Sequence, residues 1–175
     1  MSAATSPMTQ SERRTYSGMA DTMNHFHNHF KRTYHILLAA TQPMDNPNDE
    51  DTRPRGMPLS SLLTTTSDFI HHLTLHHSIE EAHVFPLLAE RMPAFRPSDQ
   101  LLTQHELIHQ GLDKLEAYVR DCRRGKRTWT RGEMRALLEG FGAVLMAHLD
   151  EEVRGLGAEE MRKAWSLEEM RRMPM

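Results

Sequence analysis

The strongest constraint on the fold is a helical spacing of apolar residues in which histidine occupies apolar positions. Over residues 19–40, apolar side chains recur at three- and four-residue steps, and His27 lies within that stripe. Three further segments, starting near residues 59, 99 and 130, repeat the pattern, and no strand-like alternation competes with it. The sequence therefore predicts an all-α fold, an antiparallel up-down four-helix bundle with short C-terminal helices.

The length and composition of the chain fit one domain. The 175 residues, of which 38% are hydrophobic, can bury one substantial core. We expect a disordered tail over residues 1–18, the bundle over 19–157 and a short helical extension over 158–175. Residues 41–58, with four prolines and an acidic run, predict a long exposed loop.

Helix boundaries are marked by local signals. Residues 97–99 (Pro-Ser-Asp) predict the start of the third helix, and Thr130 with Glu133 predicts a capping box at the start of the fourth. Pro86, which has no amide hydrogen, is expected to kink or loosen the last turn of the second helix.

Charge and cysteine content limit the partners that we expect. A net charge of −3, with basic residues interleaved among acidic ones, gives no reason to expect nucleic acid as a partner. The sequence has no apolar run long enough to span a bilayer, so we expect no membrane association. The single cysteine, Cys122, fits a reducing compartment, and we predict a cytoplasmic monomer or homodimer.

Three pairs of residues with metal-ligand chemistry lie four positions apart, which places both members of each pair on one helix face. The pairs are His76 with Glu80, His105 with His109, and His148 with Glu152. Each pair is in phase with its own apolar stripe, and burying such groups without partners costs several kcal/mol apiece.

With His27, the predicted metal ligands number seven, five imidazoles and two carboxylates. One metal ion with four to six positions cannot use all seven, whereas two ions that share bridging carboxylates can. Imidazole with carboxylate suits iron, zinc, copper or nickel, and we favour iron. His77 with Glu81 has the same four-residue spacing as His76 with Glu80. The helical phase alone therefore does not show which of the two pairs on the second helix binds the metal.

A ferritin-like bundle is a competing dimetal design, built from one Glu on two helices and a Glu-x-x-His pair on each of the others. The sequence contains two such pairs, Glu80 with His83 and Glu106 with His109. That design also needs an inward Glu on the first helix, and no Glu occurs between residues 19 and 40. We therefore reject it.

The pattern of one His, then HxxxE, HxxxH and HxxxE, resembles the hemerythrin-like, or HHE cation-binding, domain family. The resemblance covers roughly residues 19–156, and its most specific segment is the run HHSIEE at 76–81 with the following Phe85 and Pro86. That match selects His76 and Glu80 over their neighbours. The C-terminal run WSLEEMRR at 165–172 is similar to single-domain fungal members.

The resemblance implies a centre of two iron ions (Fe2+/Fe3+), with or without an oxo or hydroxo bridge. It implies that His105, His109 and His148 hold one iron, that His27 and His76 hold the other, and that Glu80 and Glu152 bridge both. One iron then keeps a vacant position for O2 or a related small ligand.

The position of the acidic residue on the fourth helix differs from that of worm oxygen carriers. Those carriers place an Asp five residues after the helix 4 His, where this chain has Val153. The sequence is therefore closer to the broader domain family than to a dedicated carrier.

Three functional hypotheses follow from the sequence. The first is a non-haem diiron protein for oxygen binding, sensing or iron handling. The second is a diiron oxidoreductase, an oxidase or oxygenase that acts on a small organic substrate. The third is a non-catalytic bundle with a zinc or structural site.

Overall fold

A computed structural model describes residues 6–44, 51–96 and 100–173. The four long helices are α1 (Gln10–Ala40), α2 (Leu59–Ile79), α4 (Gln100–Arg123) and α5 (Arg131–Gly155). The shorter elements are a π-helical turn (Glu80–Val84), α3 (Phe85–Ala89), a 3-10 turn (Pro93–Phe95), α6 (Ala158–Ala164) and α7 (Leu167–Arg172). The described ranges contain no strand, so the all-α prediction is confirmed.

The long helices form the predicted up-down bundle. Each packs against the long helix that precedes or follows it in the chain, and α1 also packs against α5, which closes the ring of four. Within the described ranges, no helix is both long and apolar enough to cross a lipid bilayer.

The first helix begins earlier than its apolar pattern predicted. It starts at Gln10 rather than near Met19, because Thr9 and Glu12 form a capping box that stabilises the N-terminus. Tyr16, on this added segment, is buried and donates a hydrogen bond from its hydroxyl to the carbonyl of Trp165 at 3.1 Å. Residues 10–18 are thus helical, in contrast to the disordered tail that we expected; residues 1–5 lie outside the described ranges.

The second helix contains a π turn where Pro86 was expected to disturb it. Because Pro86 cannot donate a hydrogen bond to the carbonyl four residues earlier, the amide of Phe85 instead reaches Glu80 in the wider i to i−5 pattern. The extra residue changes the phase of the apolar face. Leu88 is therefore buried, whereas Leu87 is only partly buried.

The start of α5 differs in detail from the prediction. Thr130 accepts a hydrogen bond from the amide of Glu133, as in a capping box. The reciprocal bond is absent, because the amide of Thr130 donates to the hydroxyl of Tyr118 at 2.8 Å and the carboxylate of Glu133 accepts from Arg127 at 2.6 Å. The predicted start signal of the third helix, at 97–99, lies outside the described residues.

The C-terminal helices close one end of the bundle, in the position that we predicted. A complete capping box between Ser166 and Glu169 starts α7. Met161, Trp165 and Met170 are buried against α1 and the end of the bundle.

Two apolar cores lie along the bundle. Along each long helix, a polar residue lies between a residue of one core and a residue of the other. On α1, Met23 belongs to one core, Phe30 belongs to the other, and His27 lies between them. The same order recurs as Leu73, His77 and Phe85 along α2 and α3, Ile108, His105 and Leu101 along α4, and Leu149, Glu152 and Leu156 along α5. The four long helices therefore deliver ligand-type residues to one level of the bundle.

Candidate metal centre

Six of the seven residues predicted as ligands meet at this level, and a seventh side chain that we had not chosen joins them. The six are His27, His76, Glu80, His105, His148 and Glu152, and the additional residue is His77. All are buried except His76, whose side chain is 12% exposed.

The ligand atoms fall into two groups, each compact enough to surround one metal ion. The first group comprises His77, Glu80, His105 and His148, and the second comprises His27, His76 and Glu80. Glu80 belongs to both. One oxygen of Glu152 lies 3.3 Å from Nε2 of His27 and 3.6 Å from Nε2 of His148, so this carboxylate also reaches both groups.

Three of the histidines form a hydrogen bond through Nδ1, on the outer side of the ring, and their Nε2 atoms point into the cluster. Nδ1 of His27 donates to the carbonyl of Leu149 at 2.9 Å, and Nδ1 of His105 donates to the carboxylate of Glu81 at 2.7 Å. These acceptors fix the proton on Nδ1 and leave the lone pair on Nε2.

The third, His148, is oriented by an amide. Its Nδ1 lies 3.2 Å from the side-chain oxygen of Gln104, whose amide nitrogen donates to Glu151 at 2.8 Å. This arrangement of donors assigns the proton of His148 to Nδ1. Sequence pattern did not indicate the orienting roles of Glu81 and Gln104.

The inner nitrogens of the cluster histidines other than His77 converge in pairs. Nε2 of His27 lies 3.1 Å from Nε2 of His76, and Nε2 of His105 lies 3.1 Å from Nε2 of His148. Oε1 of Glu80 lies 2.8 Å from Nε2 of His76, yet both Glu80 oxygens are buried and lack a hydrogen-bond partner. His105 and His148 both carry their proton on Nδ1, so their Nε2 lone pairs face each other and repel unless a proton or cation lies between them.

The unpartnered atoms test whether a metal fits this site. Both oxygens of Glu80, both oxygens of Glu152 and both nitrogens of His77 are buried without a hydrogen-bond partner. Leaving a buried polar atom unsatisfied costs about 1–3 kcal/mol, and more for a charged group. A bound cation would satisfy both carboxylates and the inward imidazole lone pairs, so the donor set fits a metal centre.

Burial keeps His76, His77 and His148 neutral, which is the form that binds metal. Desolvation, followed by the neighbouring histidines His27 and His105, lowers the pKa of His76 to about 3. Desolvation likewise lowers the pKa of His148 to about 2 and that of His77 well below its ordinary value. Desolvation and the neighbouring Glu152 raise the pKa of Glu80.

Two predicted ligands, Glu152 and His109, belong to neither group, but Glu152 reaches both groups through one oxygen whereas His109 does not. His109 is half-buried, and its ring centroid lies 5.2 Å from that of His77. The His77 ring stacks on His105 at 3.9 Å and takes the position beside the cluster. The sequence carried a signal for His77, because it lies four residues after Leu73 and three before Glu80, on the same buried face.

The fold and the site define a class of protein, an all-α bundle with a buried cluster of histidine and carboxylate side chains that fits a metal cation. A family model, the hemerythrin HHE cation-binding domain, matches residues 18–158. The chain belongs to this family, as the sequence pattern predicted.

One curated relative extends the comparison. The chain is 25% identical over 156 residues to the "Dimeric xanthone biosynthesis cluster protein R11" of Cryptosporiopsis sp. (strain 8999), a match that covers 85% of this chain and 55% of the relative. The chain thus spans about half the length of the curated relative it matches. No solved structure matches the chain significantly.

Proposed function

We propose that the chain is a non-haem diiron protein that binds or reacts with O2 or a related small ligand, for oxygen binding, sensing or iron handling. The observation that carries the proposal is the pair of ligand groups that share Glu80, with Glu152 reaching both. Two metal positions linked by two carboxylates account for every unpartnered carboxylate oxygen in the cluster. Bound iron ions would supply redox chemistry and an open coordination position.

The residues of the chain would have three roles in such a centre: they would hold the ions, orient the imidazoles and exclude water. His77, His105 and His148 would hold one ion, His27 and His76 the other, and the two carboxylates would bridge. Leu149, Glu81 and Gln104 orient three of these imidazoles through Nδ1. Apolar cores on both sides exclude water, which strengthens the electrostatic attraction between the carboxylates and a cation.

Metal analysis of protein purified without added metal is the primary test. We expect about two irons per chain, as a dinuclear centre requires. About one zinc per chain, with no iron, would instead favour the structural or zinc-binding alternative. In a second step, protein loaded anaerobically with ferrous iron is exposed to O2 or azide, and an unchanged optical spectrum would contradict the proposal.

A second candidate, a diiron oxidase or oxygenase, is favoured by a cavity of about 540 Å³ between α1 and α2 that reaches His76 and Glu80. This volume is within the range of small-molecule sites. The name of the similar Cryptosporiopsis protein, which refers to a dimeric xanthone biosynthesis cluster, also supports action on an organic molecule.

The two candidates differ in a measurable outcome. An enzyme consumes O2 in proportion to substrate turnover, and His76→Ala abolishes that consumption. Reversible oxygen binding without product formation supports the binding or sensing function.

A further inference from the structure

We propose that the cavity between α1 and α2 is a binding groove for an aromatic carboxylic acid, an inference that rests on the proposed diiron function because the groove opens onto that centre. Of its lining residues, His76 and Glu80 belong to the ligand cluster. His76 is also the most exposed member of the cluster, so the groove is the side from which a molecule reaches the cluster.

The walls of the groove are apolar and unusually exposed. The described residues include five large apolar side chains that are about half exposed, and three of them, Phe26, Leu75 and Ile79, line this groove. Clustering of exposed apolar side chains around a concave surface is typical of a binding site. Met19 and Met23 extend the apolar wall, and methionine packs well against aromatic rings.

Aromatic surfaces meet at the middle of the groove. The ring of Phe26 lies 5.7 Å from that of His76, at an interplanar angle of 39°. His25 approaches Phe26 edge-on at 5.9 Å. A flat ring inserted between the helices would contact these faces, which favours an aromatic ligand over an aliphatic one.

One end of the groove carries positive charge. Arg32 and His29 line it there, and among the described lining residues the one carboxylate is the buried Glu80. Arg32 uses Nε for the carbonyl of Asn28 at 3.2 Å, and its guanidinium remains exposed. A carboxylate is the complementary partner for a guanidinium.

The spacing of these features sets the size of the ligand. Phe26 and Arg32 lie six residues apart on α1, a distance of about 9 Å along the axis. A bicyclic aromatic acid is about that long, so its ring system can contact Phe26 and His76 while its carboxylate contacts Arg32.

The test uses 2-naphthoate and the neutral analogue 2-naphthalenemethanol, titrated calorimetrically into the whole 175-residue chain with the metal that it carries as purified. We expect 2-naphthoate to bind with a Kd below about 1 mM. Ile79→Asn should weaken both compounds about tenfold by removing apolar contact area. Arg32→Gln should weaken 2-naphthoate about fivefold and leave the alcohol unchanged.

Matched controls lie on α4, away from the groove. Leu107 is 46% exposed against 48% for Ile79, so Leu107→Asn makes the same kind of change elsewhere. Arg120→Gln removes an exposed charge in the same way. Both control variants should bind 2-naphthoate as the wild type does.

A second measurement locates the ligand. The 19F signal of 6-fluoro-2-naphthoate should broaden more when the acid binds protein that carries paramagnetic iron than when it binds zinc-loaded protein. If the purified protein contains no iron, the diiron function fails, while calorimetry still tests the groove independently.

Three results would overturn the groove assignment. They are the absence of 2-naphthoate binding to the metal-loaded wild type, equal binding by Ile79→Asn and the wild type, and weakened binding by Leu107→Asn. A wild-type dimer that Ile79→Asn dissociates, seen by analytical ultracentrifugation without 2-naphthoate binding, would show instead that a second copy of the chain covers the groove.

Discussion

Replacing His77 by leucine should affect metal-free and metal-loaded protein in opposite directions. The His77 side chain is fully buried, and both of its ring nitrogens lack a hydrogen-bond partner. Leucine has a similar size and no polar atoms. The metal-free variant should therefore be more stable than the metal-free wild type, whereas the variant should lose metal if His77 is a ligand.

The size of the stability change can be worked from the contacts. Removing an unsatisfied buried polar group recovers about 1–3 kcal/mol. Losing the stacked contact with His105, at 3.9 Å between ring centroids, costs about 0.5–1.5 kcal/mol. The expected net gain is about 1 kcal/mol, the difference between the midpoints of these ranges, which raises the Tm of a chain of this length by about 2–4 °C.

The assay compares His77→Leu with His109→Leu, because His109 is the ligand that the sequence pattern favoured. Thermal unfolding is followed after the metal has been removed with a chelator, and metal content is measured on both variants as purified. We expect His77→Leu to lose about half of the metal or more, and His109→Leu to keep it.

Two outcomes would refute this reasoning. If metal-free His77→Leu is less stable than the metal-free wild type, the His77 nitrogens have partners in solution. If His109→Leu loses the metal and His77→Leu keeps it, the family pattern identifies the ligand correctly and the packing of His77 against His105 does not.

Three further predictions concern the stability of the metal-free protein. Its free energy of unfolding, measured by urea titration, should fall as the pH drops from 7.5 to 5.5. Histidines in the unfolded chain take up protons near their ordinary pKa of about 6.5. In the folded chain, His76, with a pKa of about 3, and His148, with a pKa of about 2, stay neutral over this range. Each such histidine lowers the stability by about 1.4 kcal/mol per pH unit below 6.5, and the raised pKa of Glu80 acts in the opposite direction. A flat profile would contradict the assignment. Gly142→Ala should destabilise the protein by about 1–3 kcal/mol, because a Cβ there would lie 1.8 Å from a buried tyrosine hydroxyl. On the same helix, a Cβ at Gly140 would meet none of the described residues within 4 Å, so Gly140→Ala should stabilise the protein by about 0.5–1 kcal/mol. Equal thermal shifts for the two variants would exclude this packing. A chain truncated after α5 should lose about 4 kcal/mol or more in urea unfolding, because α6 and α7 seal one apolar core, and an unchanged urea midpoint would show that they contribute little.

The bundle itself was largely encoded in local sequence pattern. Helical spacing marks four helices, and His27, in phase with the apolar stripe of α1, already indicates a polar residue directed inward. Helix ends depended on hydrogen bonds that a pattern does not reveal. The capping box at Thr9 starts α1 earlier than the apolar pattern predicted. At the start of α5, the amide of Thr130 donates to Tyr118 rather than to the carboxylate of Glu133.

The position of each of the neighbouring histidines relative to the cluster depends on tertiary structure. His76, His77 and His109 all have metal-ligand spacing in the sequence, and the family resemblance favours His76 and His109. In the folded chain, His77 lies on the buried face with Leu73 and Glu80 and stacks on His105. Adjacent helical residues differ by about 100° around the axis, and only the packing of one helix against another determines which of them faces the centre.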